Sequence, residues 1–193
     1  MKRPAVFIDR DGTISEEVGY VNHPSRFRLF PYSAEAIRML NEVGWLAILI
    51  TNQAGVARGY FSEDVMHKVH DQLTRDLEKQ SARLDALYYC VHHPTVGEAP
   101  YCVDCDCRKP KPGLIQQAAK DFEIDLAASW MAGDRYSDVE LARNAGVRST
   151  FVLSGYGRGE WEYRSHDWKH RPDLVCETLL EAVKSIVNHG SKA

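Results

Sequence analysis

The sequence predicts an α/β fold, a parallel sheet with helices on both faces. Two observations carry that prediction. Runs such as Ala5 to Ile8 and Trp45 to Ile50 are apolar at consecutive rather than alternate positions, so they read as strands buried on both sides. Between the runs lie longer stretches with apolar residues at helical spacing, and strands that alternate with helices build a parallel sheet. With 193 residues the chain is long enough for a sizeable core, and one domain over 1–193 is expected.

The first strand, Ala5 to Ile8, stops abruptly at Asp9-Arg10-Asp11-Gly12-Thr13. Ser33 to Gly44 carries a stripe of Ala36, Ile37, Met39, Leu40 and Val43, with Ser33 as N-cap and Gly44 as stop. The strand Trp45 to Ile50 runs into a polar loop, Thr51 to Gly55. Ser62 caps a helix reaching about Gln80, on which His67 and His70 read as ordinary solvated or packed residues. Leu84 to Cys90 is a third strand, followed by an irregular stretch rich in Cys, His and Pro. Pro112 opens a helix to about Phe122. Ser129 to Asp134 is a strand ending in an acid, Ser137 to Ala145 a helix stopped by Gly146, and Thr150 to Leu153 another strand. Gly155 to Arg171 reads as a loop whose Trp161, Tyr163 and Trp168 pack over the sheet. Asp173 to Cys176 and Thr178 to Asn188 close the chain as strand and helix.

Composition is that of an ordinary soluble protein, with 44% hydrophobic and 26% charged residues. A net charge of -3 argues against a nucleic-acid partner. No stretch is apolar for long enough to span a bilayer, and none has the apolar core of a signal peptide. A cytoplasmic location is therefore expected, with no membrane partner and a monomeric state. Five cysteines in that compartment are expected to be reduced or metal-bound.

Polar groups collect at the strand ends, where open α/β sheets bind ligands. Asp9 and Asp11 face the same side of an extended chain, and two like charges so close call for a cation. Oxygen ligands with one or two carboxylates suit magnesium. A carboxylate is ionised at neutral pH and attacks phosphorus without a base, which makes Asp9 a nucleophile. Asp11 is placed to protonate a leaving oxygen and then to activate water. The Thr51 hydroxyl and the Lys109 ammonium are donors for phosphoryl oxygens. Arg10, Arg58, Arg108, Lys109, Lys111 and Arg135 give these loops a basic bias in an acidic chain, so the ligand is expected to be an anion. Cys90-x-His92 and Cys105-x-Cys107 supply three thiolates and an imidazole, a closed set typical of structural zinc. Cys102 and His93 are rivals for that metal, and Cys176 reads as a core residue.

Asp9-x-Asp11-Gly12-Thr13, Thr51-Asn52-Gln53, Lys109 and Gly133-Asp134-x3-Asp138 together resemble the four motifs of the haloacid dehalogenase-like phosphatases. The resemblance covers nearly the whole chain. It implies a three-layer Rossmann-like sheet without a large cap domain. It also implies magnesium held by Asp9, the backbone carbonyl of Asp11 and Asp134. Gly19-Tyr20-Val21, Tyr88-Tyr89-Cys90 and Cys105-Asp106-Cys107-Arg108-Lys109-Pro110 resemble the heptose bisphosphate phosphatases within that family. That implies zinc on Cys90, His92, Cys105 and Cys107. It implies a small sugar bisphosphate as substrate, cleaved at its 7-phosphate in making ADP- or GDP-heptose. Arg10, Glu17, Val18, Gly19, Tyr20, Asn52, Gln53, Ala54, Arg108 and Arg135 are then the expected substrate contacts. Histidinol-phosphate phosphatases carry a similar zinc site on a shorter loop, and a non-catalytic sugar-phosphate-binding protein is the rival from another class.

Overall fold

The computed structural model describes residues 2–190. Six parallel strands form one sheet: β1 (Ala5–Ile8), β2 (Leu46–Asn52), β3 (Ala86–Cys90), β4 (Trp130–Gly133), β5 (Arg148–Val152) and β6 (Leu174–Cys176). Their order is β3-β2-β1-β4-β5-β6. The helices are α1 (Ser33–Glu42), α2 (Glu63–Glu78), α3 (Gly113–Asp121), α4 (Tyr136–Ala145), α5 (Gly157–Arg164) and α6 (Leu179–Gly190).

The consecutive apolar runs are explained by what covers them. Val6 and Ile8 of β1 point into a core shared with Ile37 and Leu40 of α1, Val69 and Leu73 of α2, and Val183 and Ile186 of α6. Ala5 and Phe7 point the other way, into a core with Leu114 and Ile115 of α3 and Leu141 of α4. All four strand residues are fully buried, so a polar side chain at any of them would face a helix layer.

The chain winds outward from β1 to β3 and then returns to start again at β4 on the other side of β1. The crevice between the carboxyl ends of β1 and β4 is thus the switch point of the sheet, where such folds bind ligands. Register sets what meets there. Ile8 pairs with Leu49 on one side and Ala132 on the other, so Asp9 emerges beside Gly133-Asp134.

Several element boundaries differ from the sequence reading. β2 continues through Thr51 and Asn52, because both pair with β3, at Tyr89 and Cys90. Ser33 is the first residue of α1 rather than its cap, since its hydroxyl donates to Ile14 O at 2.7 Å. Ser62 caps α2 as expected, accepting from Val65 N. Gly155 to Arg171 is not a loop throughout: it contains α5 and a 3-10 turn at Ser165–Asp167. Trp161 and Trp168 pack on Phe151, with ring centroids 6.1 and 5.0 Å away, but Tyr163 is 76% exposed and covers nothing. No helix among the described residues is long and apolar enough to cross a membrane.

Candidate active site

Asp9 leaves β1 with its amide bonded to Ala132 O of β4 at 2.9 Å, which fixes the side chain at the switch point. Its Oδ1 accepts from the Arg10 amide at 2.7 Å and lies 2.8 Å from Lys109 Nζ. Oδ2 carries neither of these bonds. Lys109 also meets Asp138 Oδ1 at 2.7 Å. Burial alone would drive the Lys109 proton off, but Asp138 and Asp9 outweigh it and hold the ammonium above its ordinary range. The backbone there is fixed by a reciprocal pair: Lys109 N donates to Asn52 Oδ1 at 3.0 Å and Asn52 Nδ2 donates to Lys109 O at 3.2 Å.

Asp9, Asp134 and Asp138 lie close enough to share one cation, with oxygens within 4.8 Å of one another. Asp138 has Lys109 and the Arg135 amide as partners. Burial, with the Asp9 charge added, still pushes it up to about 6 against the pull of Lys109. Asp134 is less well served. Its Oδ2 accepts from the Tyr156 amide at 2.8 Å, while its buried Oδ1 has no partner among the described residues. Burial, then Asp9 and Asp138, push this carboxyl well above the usual range. A buried carboxylate oxygen without a donor, aimed into a cluster of other carboxylates, fits a divalent cation. The cradle around it needs glycine: Gly12 has φ +83° and Gly155 φ +56°, and a Cβ on either would run into the Asp134 carboxylate.

Asp11 stands on the other side of Asp9. The Arg10 fork grips it, Nε to Oδ1 at 3.0 Å and Nη2 to Oδ2 at 2.7 Å. Gln53 Nε2 donates to Asp11 Oδ2 at 3.0 Å and to Thr51 Oγ1 at 2.8 Å. Thr51 therefore accepts from Gln53 and keeps its own hydroxyl hydrogen for a ligand.

These groups open into a cavity of about 670 Å³. Of the expected substrate contacts, Glu17, Gly19, Tyr20, Asn52, Gln53, Ala54, Arg108 and Arg135 line it. Arg10 lines its inner end, but it is 1% exposed and its guanidinium stands behind Asp11. Val18 turns away and packs against the core beside α1. Burial raises the Glu17 carboxyl, against the Gly19 N–H that it accepts. The sequence reading missed a whole wall. Tyr136 comes from α4, Tyr156 from the N-cap of α5, Glu160 and Arg164 from α5 itself, and Asp167 and Trp168 from the turn after it. Glu160 ties that wall down, bonding Arg135 Nη1 at 3.0 Å and the Tyr136 amide at 2.8 Å. The density of Arg, Trp and Tyr in residues 155–171 was the available signal.

The second cluster lies just before Lys109. Cys90, His92, Cys105 and Cys107 converge. Cys90 and Cys107 sulfurs are 3.5 and 3.1 Å from Cys105 Sγ, and His92 Nδ1 is 3.4 Å from Cys107 Sγ and 4.0 Å from Cys90 Sγ. A tetrahedron with Zn–S bonds of about 2.3 Å has edges of about 3.8 Å, so the donor set fits zinc. Cys90 beside it, and then burial, push the Cys107 thiol up, a crowding that a cation relieves. Cys102 and His93 lie outside the cluster; His93 is bonded instead to Arg58 Nη2 at 3.1 Å and to the Thr95 amide. Arg108, one residue past Cys107, donates back to His92 O at 3.1 Å.

The chain belongs to the haloacid dehalogenase-like phosphatases. A family model described as HAD-hydrolase-like matches residues 106–182. A D-glycero-beta-D-manno-heptose-1,7-bisphosphate 7-phosphatase of Pasteurella multocida is 40% identical over 184 residues, 95% of this chain and 97% of that protein. A D-glycero-D-manno-heptose-1,7-bisphosphate 7-phosphatase of Thermosynechococcus vestitus is 41% identical over 193 residues, 98% of each chain. The crystal structure of the D,D-heptose 1,7-bisphosphate phosphatase of B. bronchiseptica, complexed with magnesium and phosphate, superposes with a TM-score of 0.84 at 30% identity. It covers 98% of this chain and 99% of that one.

Proposed function

We propose that this protein removes the 7-phosphate of D-glycero-D-manno-heptose 1,7-bisphosphate through a phosphorylated Asp9. The observation that carries the reading is the Asp9–Lys109–Asp138 arrangement beside Asp134 and Asp11, in a chain 40% identical to a phosphatase of that name. Asp9 Oδ2 attacks phosphorus, and the bond from phosphorus to the sugar's 7-oxygen breaks. Asp11 gives its proton to that oxygen. Water then attacks the acyl phosphate, Asp11 takes its proton, and the bond to Asp9 breaks to release inorganic phosphate. Lys109 and the Thr51 hydroxyl donate to the phosphoryl oxygens as charge shifts among them. Asp9, the Asp11 carbonyl and Asp134 would hold magnesium, whose positive charge would let a phosphate dianion approach three carboxylates. Arg58, Arg108, Arg135 and Arg164 line the rest of the cavity and favour a ligand with a second phosphate.

Magnesium-dependent phosphate release from the α and β anomers of the heptose bisphosphate, with histidinol phosphate alongside, tests this. Turnover of the heptose bisphosphate with the β anomer preferred is the expected result. Preference for histidinol phosphate would overturn the substrate, and no turnover of any phosphate ester would overturn the enzyme.

Zinc belongs to the same reading. The four ligands close a stretch with little core of its own, and Arg108-Lys109 follows directly. Removing one ligand therefore harms both stability and catalysis. Metal analysis is expected to find zinc in the wild type and to lose it in Cys107→Ser. The variant's melting temperature should fall by roughly 5–10 °C, for a loss of about 2–3 kcal/mol. Phosphate release should fall with it. A variant that melts and turns over like wild type would remove the structural role.

A further inference from the structure

Helix α2 buries Met66, Val69, Leu73 and Leu77 along one stripe, and His70 stands inside that stripe, 5% exposed. Stability alone would favour an apolar side chain there. A buried imidazole needs partners for two nitrogens, and Nδ1 has no protein partner among the described residues. Nε2 lies 3.1 Å from Arg10 Nη1. A guanidinium only donates, so Nε2 accepts and the ring proton sits on Nδ1. Burial, with the Arg10 charge beside it, pushes the imidazole down to about 3, so the ring is neutral and remains an acceptor at working pH.

Arg10 is itself almost fully buried and has two separate tasks. Nε and Nη2 form the fork on the two oxygens of Asp11, and Nη1 points at His70. Gln53 Nε2 also holds the Asp11 carboxylate, at 3.0 Å, but a guanidinium bound only to that carboxylate keeps the freedom to tilt about it. A third contact, made from the far side by a residue on a packed helix, removes that freedom. Without it, Nη1 would face the apolar stripe of α2 with no acceptor, and the guanidinium would gain by rotating away.

We propose that His70 is a positioning residue for Asp11: by accepting from Arg10 Nη1 it fixes the guanidinium fork, and the fork fixes the carboxylate that exchanges a proton with the leaving oxygen and with water. This rests on the phosphatase reading above. Asp11 then keeps a backing fixed from α2 when the leaving group changes place with water.

Gln and Asn separate this role from simple packing. The amide oxygen of Gln reaches the place of Nε2, whereas that of Asn falls near Nδ1. His70→Gln is expected to keep kcat within about threefold of wild type. His70→Asn and His70→Phe are expected to lower kcat about ten- to a hundredfold, with KM within about twofold, because substrate contacts are untouched while proton transfer is misaligned. The Arg10 Nε–H signal in a ¹⁵N correlation spectrum should persist in the Gln variant and broaden or vanish in the Asn variant. Equal kcat in the Gln and Asn variants, or a loss confined to KM, would overturn the inference while leaving the phosphatase reading intact. A wild type that releases no phosphate would overturn both. If His70→Phe does not fold, the Gln and Asn pair decides alone.

Discussion

Asp9→Asn is expected to lower phosphate release by at least about four orders of magnitude, because an amide does not form the acyl phosphate. The same substitution should leave the melting temperature unchanged or raise it. The cluster holds Asp9, Asp134 and Asp138 within 4.8 Å, and the buried Lys109 faces two of them, Asp9 and Asp138. Removing the Asp9 charge relieves Asp134 and Asp138, both of which Asp9 pushes upward. The asparagine oxygen still accepts from the Arg10 amide and from Lys109, and Lys109 keeps Asp138. Single-turnover assays and melting curves in chelator check the two halves together. Adding magnesium should then raise the melting temperature of the wild type more than that of the variant, which has lost a charged ligand. Residual turnover within about a hundredfold of wild type would place the nucleophile elsewhere. A fall in melting temperature would mean that the three carboxylates do not repel one another in the folded state.

The parts of this site that could be read from sequence share one property. Asp9, Thr51 and Asp134 each sit at the end of a run apolar enough to be a buried strand, so a one-dimensional pattern places each at the same edge of the sheet. Cys90, His92, Cys105 and Cys107 are legible through ligand chemistry and spacing alone. What escaped reading depends on tertiary contact. Helix α5 has the sequence GRGEWEYR, with two glycines and Gly157 as its one buried residue, so no local signal announces it. It forms because Glu160 caps α4 and holds Arg135, and because Trp161 leans on Phe151. The end of β2 lies beyond what polarity implies, because Thr51 and Asn52 carry the polar pattern of a loop while β3 extends alongside them and pairs through Asn52. His70 fits the helical stripe and looks unremarkable until its partner is known, and that partner lies 60 residues away in β1's trailing loop.

Lys109→Met should separate from Asp9→Asn in sign. Catalysis falls by at least about a thousandfold, since the donor to the transferring phosphoryl group is gone. Stability now falls too, by about 3–5 kcal/mol near neutral pH, because Asp9 and Asp138 lose the one cation they share and stay buried. For a chain of this size that is a drop on the order of 10 °C. The pH dependence follows from Asp138. Its carboxyl in the folded protein is already raised to about 6 with Lys109 present, above its unfolded value, and losing Lys109 raises it further. The folded state then binds more protons than the unfolded one, so stability declines as pH rises from the unfolded carboxylate range through 6 and beyond. Melting curves in chelator should therefore show the smallest deficit near pH 5 and a growing one toward pH 8. Adding Asp9→Asn to Lys109→Met should recover part of the lost stability, because it removes one of the two charges left unpaired, while phosphate release stays abolished. Groups in contact are coupled, and strict additivity in this cycle would mean that Lys109 and Asp9, 2.8 Å apart, do not feel each other's charge.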